Sequence, residues 1–172
     1  MLTAGLEISD ASVEDAEELS ALAIRTYVDT WGTEFEPDDL AWHLERTISP
    51  ERWREYLGRD CVLWARVDGR PVGFVQFGPA DTPGEMLLDR LYVDGTFQGQ
   101  GIGSELLRRA LADPQMDAAE AVRIDVWQDN LGALRLYEKF GFRHEGGREP
   151  FVLQSGEVDG YDLILIRRRA RP

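Results

Sequence analysis

Apolar residues recur at helical spacing in the first third of the chain and alternate with polar ones after it. Ala16, Leu19, Ala23, Tyr27 and Val28 follow one helical face. Ser12 with Asp15 matches a capping box, so a helix is predicted to open there and run to about Trp31. Leu6 to Ser9, just before it, reads as a short strand. Beyond the break at Gly32, Pro37 stands where a first helical turn tolerates proline, and Leu40, Ala41, Leu44 and Ile48 form a second amphipathic face. Pro50 to Leu57 is a third, shorter helix.

The pattern then changes. Cys61 to Val67 and Val72 to Phe77 alternate around Asp68-Gly69, a pair suited to a two-residue turn, and predict a β-hairpin. Glu85 to Val93 is the next strand, after a segment rich in turn residues. A helix from about Gly101 to Leu111, a strand at Val122 to Val126 and a helix from Asn130 to Phe140 follow. Strands near Arg143 to Phe151 and Val158 to Arg167 close the chain, leaving Arg167 to Pro172 as a loose tail. Helices, then antiparallel strands, then a strand-helix-strand-helix run describe one mixed α/β or α+β sheet domain.

Composition narrows the partners. Thirty-two acidic residues against nineteen basic ones give a net charge of −13, a field that repels nucleic acid and anionic lipid and attracts cationic amines. No apolar run approaches the roughly 20 residues of a membrane span. Met1 to Asp10 carries no signal-peptide pattern, and a lone cysteine, Cys61, fits a reducing compartment, so a cytoplasmic protein is expected. Cys61 opens an apolar strand and reads as core. His43 and His144 have no close ligand cluster, and no metal site is assigned.

The segment from Gln98 through Gly99, Gln100, Gly101, Ile102 and Gly103 to Ser104 leaves a strand and enters a helix. Backbone amides at such a turn converge on an anion, and an ordinary glycine turn would explain the segment equally well. A dinucleotide fingerprint starting at Gly99 requires glycine where Ser104 stands, and one starting at Gly101 fails at Leu106. The Gly-Lys-Ser/Thr of a Walker loop is absent from the chain.

Gln98 to Gly103 resembles the Gln/Arg-x-x-Gly-x-Gly/Ala signature of GNAT acetyltransferases. Leu91-Tyr92-Val93 before it and Asn130 to Phe142 after it are similar to two further parts of that family's pattern, in order. With Gly160 to Leu163, the motif looks most like the bacterial polyamine-acetylating branch. The resemblance implies a mostly antiparallel sheet of about seven strands, splayed between the fourth and fifth and flanked by helices. It also implies acetyl-coenzyme A as co-substrate, with Gln98 to Ser104 holding the pyrophosphate and the backbone of Leu91, Tyr92 and Val93 pairing with the cofactor arm. Acetyl would pass directly to a primary amine, with a polyamine the first expectation. Protein N-terminal or lysine acetylation, or a catalytically silent acyl-coenzyme A sensor, are the alternatives. A homodimer is compatible with the family.

An alkylammonium with a pKa near about 10.4 costs about 4 to 5 kcal/mol to deprotonate at neutral pH, so a proton acceptor is needed. Where relatives often place a glutamate, this chain has Leu87; strand alternation leaves Glu85 and Asp89 as candidate bases on the same face. Asn130 and Tyr137 lie two helical turns apart and share a face with Ala133 and Leu134. The residues alone read as an N-cap and a core aromatic; the resemblance puts the Asn on the cofactor arm and the Tyr near the sulfur, able to protonate the leaving thiolate. Trp31 and Trp127 are candidate borders of an acceptor pocket, and Glu34, with Glu36, Asp38 and Asp39, a candidate acidic lining for a cationic acceptor.

Overall fold

A computed structural model describes residues 4–169. The element order is β1 (Leu6–Asp10), α1 (Ala16–Trp31), α2 (Pro37–Ile48), α3 (Pro50–Leu57), β2 (Cys61–Val67), β3 (Arg70–Pro79), β4 (Glu85–Val93), α4 (Ile102–Leu111), α5 (Pro114–Ala118), β5 (Ala121–Trp127), α6 (Leu131–Lys139), β6 (Arg143–Val152) and β7 (Val158–Arg168). The seven strands are ordered β1-β2-β3-β4-β5-β7-β6. The chain groups into two compact units, one reaching to Phe77 and resuming over Arg90–Ala110, the other made of Gly78–Asp89 and the chain from Leu111 onward.

In the first unit the local chemistry follows the residues. The Ser12 amide and hydroxyl both donate to the Asp15 carboxylate, which fixes the entry to α1. Pro37 and Pro50 each occupy a first helical turn, and the Ser49 hydroxyl accepts from the Arg52 amide. Asp68 and Gly69 take φ values of +50° and +80°, the signature of a tight hairpin turn, with Val67 facing Arg70 across it. Strand β3 therefore begins at Arg70, two residues before the expected start. The core gathers Leu19, Leu22, Ala23, Trp53, Trp64 and Phe74. One expected core position fails: Ala41 is exposed, and His43 turns inward with Leu44 and Ile48. The 40/44/48 spacing leaves room for either neighbour on the face, and the larger ring fills the space beside Tyr27.

In the second unit β4 and β5 run parallel, with Glu85, Met86 and Leu87 facing Ala121, Val122 and Arg123. Among the described residues that ladder stops at Leu87, whereas β5 pairs with β7 along its whole length. This short ladder is the expected splay between the fourth and fifth strands. Helix α5 is an addition to the predicted elements. Asp113 caps it by accepting from the Gln115 amide, and Pro114 opens it, but five residues are too few to show a period. Arg167 and Arg168 belong to β7 and not to a loose tail; 170–172 lie outside the described residues.

Candidate active site

Within the first unit, β4 ends at Val93 and the chain turns through Gly95–Phe97 before α4 begins at Ile102. One buried carboxylate fastens this turn. Asp94, 3% exposed, accepts from the Thr96 amide at 3.0 Å and the Thr96 hydroxyl at 2.6 Å. Its other oxygen accepts from Arg25 at 3.2 Å and Arg70 at 3.1 Å, while its amide donates to the Val72 carbonyl at 2.8 Å. Burial pushes its pKa up, yet the Thr96 and Arg25 hydrogen bonds outweigh it and hold the carboxyl below its ordinary range.

Beyond that knot the turn opens. Gly99 and Gly101 adopt φ values of +73° and +83°, a region that costs other L-residues strain. Gly99, Gln100 and Gly101 are exposed, and a Cβ at Gly99 would meet nothing within 4 Å. The Gly101 carbonyl accepts from the Glu105 amide at 3.0 Å, which starts α4, and Ile102, 1% exposed, pins the helix start into the core. Gly103 and Ser104 are half-buried in the first turn of the helix. The helix thus presents its amide-rich end beside a turn that is open at Gly99, a cradle suited to a diphosphate. Gln98 and Gln100 fold back: their amides donate to the Val93 carbonyl at 3.0 Å and the Thr96 carbonyl at 3.1 Å. Val93 therefore already spends one lone pair of its carbonyl inside the chain.

Removing the Asp94 charge tests the knot. Its carboxylate has a depressed folded pKa, so its stabilisation is present above the unfolded value and is lost as pH falls through the folded one. Asp94→Asn is expected to lose about 1–2 kcal/mol at neutral pH, given the partial exposure of both arginines. The gap to wild type should close as pH falls below the ordinary carboxylate range in urea titrations. A gap that stays constant into acid would contradict the assignment.

The same unit holds a cavity of about 70 Å³ lined by Ala23, Tyr27, His43, Thr47, Ile48, Phe74, Arg90 and Tyr92. Arg90 and Tyr92 come from β4, and alternation carries their side chains to the face opposite Leu91 and Val93. Arg90 donates to the Gln76 side chain at 2.7 Å, approaches the Thr47 carbonyl and the Tyr56 hydroxyl at 3.5 Å, and lies 4.8 Å from the Tyr56 ring centre. Fully buried Gln76 passes the contact on to Asp60 at 2.7 Å. Burial, reinforced by the Arg90 charge, pushes the His43 imidazole down to about 4, so its ring is neutral at pH 7. It stacks on Tyr27 with centroids 4.9 Å apart.

Other predicted residues fall elsewhere. Trp31 is half-buried at the end of α1 and Glu34 is exposed in the following loop. Neither they nor Glu36, Asp38 and Asp39 are among the cavity's lining residues. In the second unit, Asn130 caps α6 by accepting from the Ala133 amide at 3.1 Å. Tyr137, 4% exposed, packs edge-on to Phe142 at 5.7 Å. Trp127 stands edge-on to Phe151 at 5.9 Å, and a Cβ at Gly160 would come within 2.1 Å of its ring. Glu85 and Asp89 are half-buried on the β4 face that also bears Leu87. Across from Trp127 in the β5–β7 register sits Asp162, whose carboxyl is pushed up by burial and then by Asp125.

His43 and Arg90 escaped sequence reasoning as cavity residues, and only the inward turn of α2 and the parity of β4 signal them. Among the described residues, no group of three or more His, Cys, Asp or Glu could hold a metal ion, and no helix is long and apolar enough to cross a membrane.

Comparison with known proteins identifies the family and the fold. The family model described as "Acetyltransferase (GNAT) family" matches residues 16–142. An uncharacterized N-acetyltransferase of Mycobacterium tuberculosis is 34% identical over 89% of this chain and 97% of its own length. A spermine/spermidine N(1)-acetyltransferase of Bacillus subtilis is 28% identical over 46% of this chain and 57% of its own. PaiA N-acetyltransferase of Thermoplasma acidophilum, solved in complex with coenzyme A, superposes with a TM-score of 0.77 at 22% identity, covering 95% of this chain and 98% of that one. The chain belongs to the acetyltransferase (GNAT) family and is an acetyl-coenzyme A-dependent N-acetyltransferase.

Proposed function

We propose that the enzyme transfers acetyl directly to a primary amine of a small molecule, with no covalent enzyme intermediate. The observation that carries the cofactor half is the open turn at Gly99 and Gly101, anchored by Asp94 at the start of α4. Its glycines are exposed, and a Cβ at Gly99 would meet nothing within 4 Å, which suits a diphosphate. Bound acetyl-coenzyme A supplies a thioester whose C–S bond is exchanged for a C–N bond to the amine, releasing thiol and a proton.

The chain's own residues divide the remaining work. Gln98 to Ser104 hold the pyrophosphate through backbone amides, and Leu91, Tyr92 and Val93 offer backbone groups to the cofactor arm, as does Asn130 through its side chain. Asp89, with Glu85 as the second candidate, accepts the ammonium proton directly or through water. The Tyr137 hydroxyl donates to the departing sulfur. Trp31, Glu34 and Trp127 would border the acceptor.

A polyamine acceptor is favoured by the Bacillus relative and by the net charge of −13. Isothermal titration with acetyl-coenzyme A followed by thiol-release assays over an amine panel tests the whole reading. Absence of binding heat would remove the cofactor site. Binding without thiol release on any amine would make the chain an acyl-coenzyme A sensor. Tyr137→Phe should lower kcat by about 10-fold or more while acetyl-coenzyme A affinity holds; an unaltered kcat would return Tyr137 to a packing role.

A further inference from the structure

The second unit bears a carboxylate to which the transfer reaction gives no role. On β5 and β7, Arg123, Asp125, Trp127 and Asp162 share one face: Trp127 stands opposite Asp162 in the antiparallel register, and Leu87 of β4 faces Arg123 in the parallel one. Asp125 is committed to Arg123, whose guanidinium donates to its two oxygens at 2.7 and 2.8 Å. Glu149, opposite Asp162 on β6, is exposed and lies 3.5 Å from the same guanidinium. Asp162 itself is half-buried, and among the described residues no hydrogen bond or ion pair reaches its side chain. Burial, and then the charge of Asp125, raises its pKa, as expected of a carboxylate with no cation beside it. Such a charge costs stability that a bound cation would return. An aromatic wall stands next to it. A Cβ at Gly160, the position diagonal to Trp127, would come within 2.1 Å of the indole, so glycine is what lets the ring cross β7 beside Asp162. Phe151 meets that ring edge-on from β6 at 5.9 Å.

We infer that Asp162 and Trp127 bind a second, non-reacting ammonium of the acceptor, so that the enzyme selects amines carrying two cationic groups. The proposal rests on the acetyl-transfer reading above and names the residue that sets its substrate class. A carboxylate beside a fixed indole suits an alkylammonium: the N–H groups meet the oxygens in charge-assisted hydrogen bonds, and the cation and its neighbouring methylenes meet the ring. The position also fits the reaction. In the strand order β4-β5-β7, Asp162 lies two strand spacings, about 10 Å, across the sheet from β4. Glu85 and Leu87 belong to the same face, as their pairing with Ala121 and Arg123 shows. A four-carbon diamine with a hydrogen bond at each end spans about the same distance. One nitrogen held at Asp162 therefore leaves the other presented to β4, the strand whose carboxylates are assigned to proton transfer. A monoamine that reacts there leaves the Asp162 charge unanswered.

The test compares matched acceptors at saturating acetyl-coenzyme A: 1,4-diaminobutane, 4-aminobutanol and butylamine. The diamine is expected to exceed both others in kcat/KM by about 10- to 100-fold, the value of one charge-assisted hydrogen-bonded pair. In Asp162→Asn, a near-isosteric change, the ratio of diamine to monoamine should collapse toward one. The thermal midpoint of that variant should hold or rise, because the substitution removes a charge whose nearest charged neighbour on the face is another carboxylate. A lower midpoint with all three acceptors slowed alike would make Asp162 a structural residue and overturn the proposal. Equal or better turnover of the monoamines by the wild-type enzyme overturns it too, whether or not the variant folds. Titration of 1,4-diaminobutane and of butylamine into the wild-type protein and Asp162→Asn, followed by NMR of the tryptophan indole N–H groups, gives a readout independent of turnover. If no amine releases thiol, the transfer reading fails. The titration still decides the subsite: selective binding of the diamine, lost in Asp162→Asn, supports it, and binding of neither amine or of both alike refutes it.

Discussion

Gly101→Glu is expected to abolish acetyl-coenzyme A binding. Two effects add at this position. A non-glycine residue at φ +83° carries about 1–2 kcal/mol of backbone strain, which the open turn can relieve only by changing shape. A carboxylate there also confronts the cofactor's diphosphate, and a like charge at about 4 Å near a protein surface costs about 4 kcal/mol. Together they amount to a loss of at least about 100-fold in affinity by calorimetry. Gly101→Ala, which keeps the strain and omits the charge, should lose much less. Both variants carry the same strain, so the thermal unfolding midpoint should fall by about the same few degrees in each. An unchanged dissociation constant for Gly101→Glu would place the pyrophosphate elsewhere.

Phe74→Ala is expected to be the most damaging change to the first unit. Phe74 is fully buried on β3, edge-on to Trp53 at 5.2 Å and tilted against Tyr92 at 5.8 Å. Truncating a buried Phe removes its transfer energy and leaves a void, at a cost of about 3–5 kcal/mol. The void would join the existing cavity, which Phe74 already lines, so its neighbours cannot close it by a small shift. Urea unfolding should show a lower midpoint with little change in slope. A stability loss under about 1 kcal/mol would mean that the site collapses, contrary to this packing.

Most of the framework was readable from the chain because its signals are local. Pro37, Pro50 and the Ser12–Asp15 pair mark helix starts, Asp68-Gly69 marks a hairpin, and each acts within a few residues. The glycine turn was equally legible, since positive φ is demanded by the path of the chain itself. Helix α5 was missed because Asp113-Pro114 announces a helix too short to reveal a face. The cavity was missed for a different reason. Whether His43 or Ala41 turns inward depends on what α2 packs against, and Arg90 becomes a wall residue only when Gln76, Thr47 and Tyr56, distant in sequence, are brought beside it. The acidic residues before and within α2 were legible as a charged group, and Glu34, Glu36 and Asp38 are exposed to solvent.

The carboxylate of Asp94 has a consequence for how substitution data on this enzyme would be interpreted. Arg25, 69 residues earlier on α1, shares it with Arg70 and Thr96, and also donates to the Pro71 carbonyl at 3.2 Å. A survey of variants scored on cofactor affinity would therefore register Arg25 as a phosphate ligand. Its loss would instead let the turn drift while the glycines kept their identity. Restoring the turn by a compensating change near Thr96, with Arg25 still absent, would recover affinity as no true ligand's removal allows. Distance from the phosphate and influence upon it are separate properties in this protein, joined through a single buried charge.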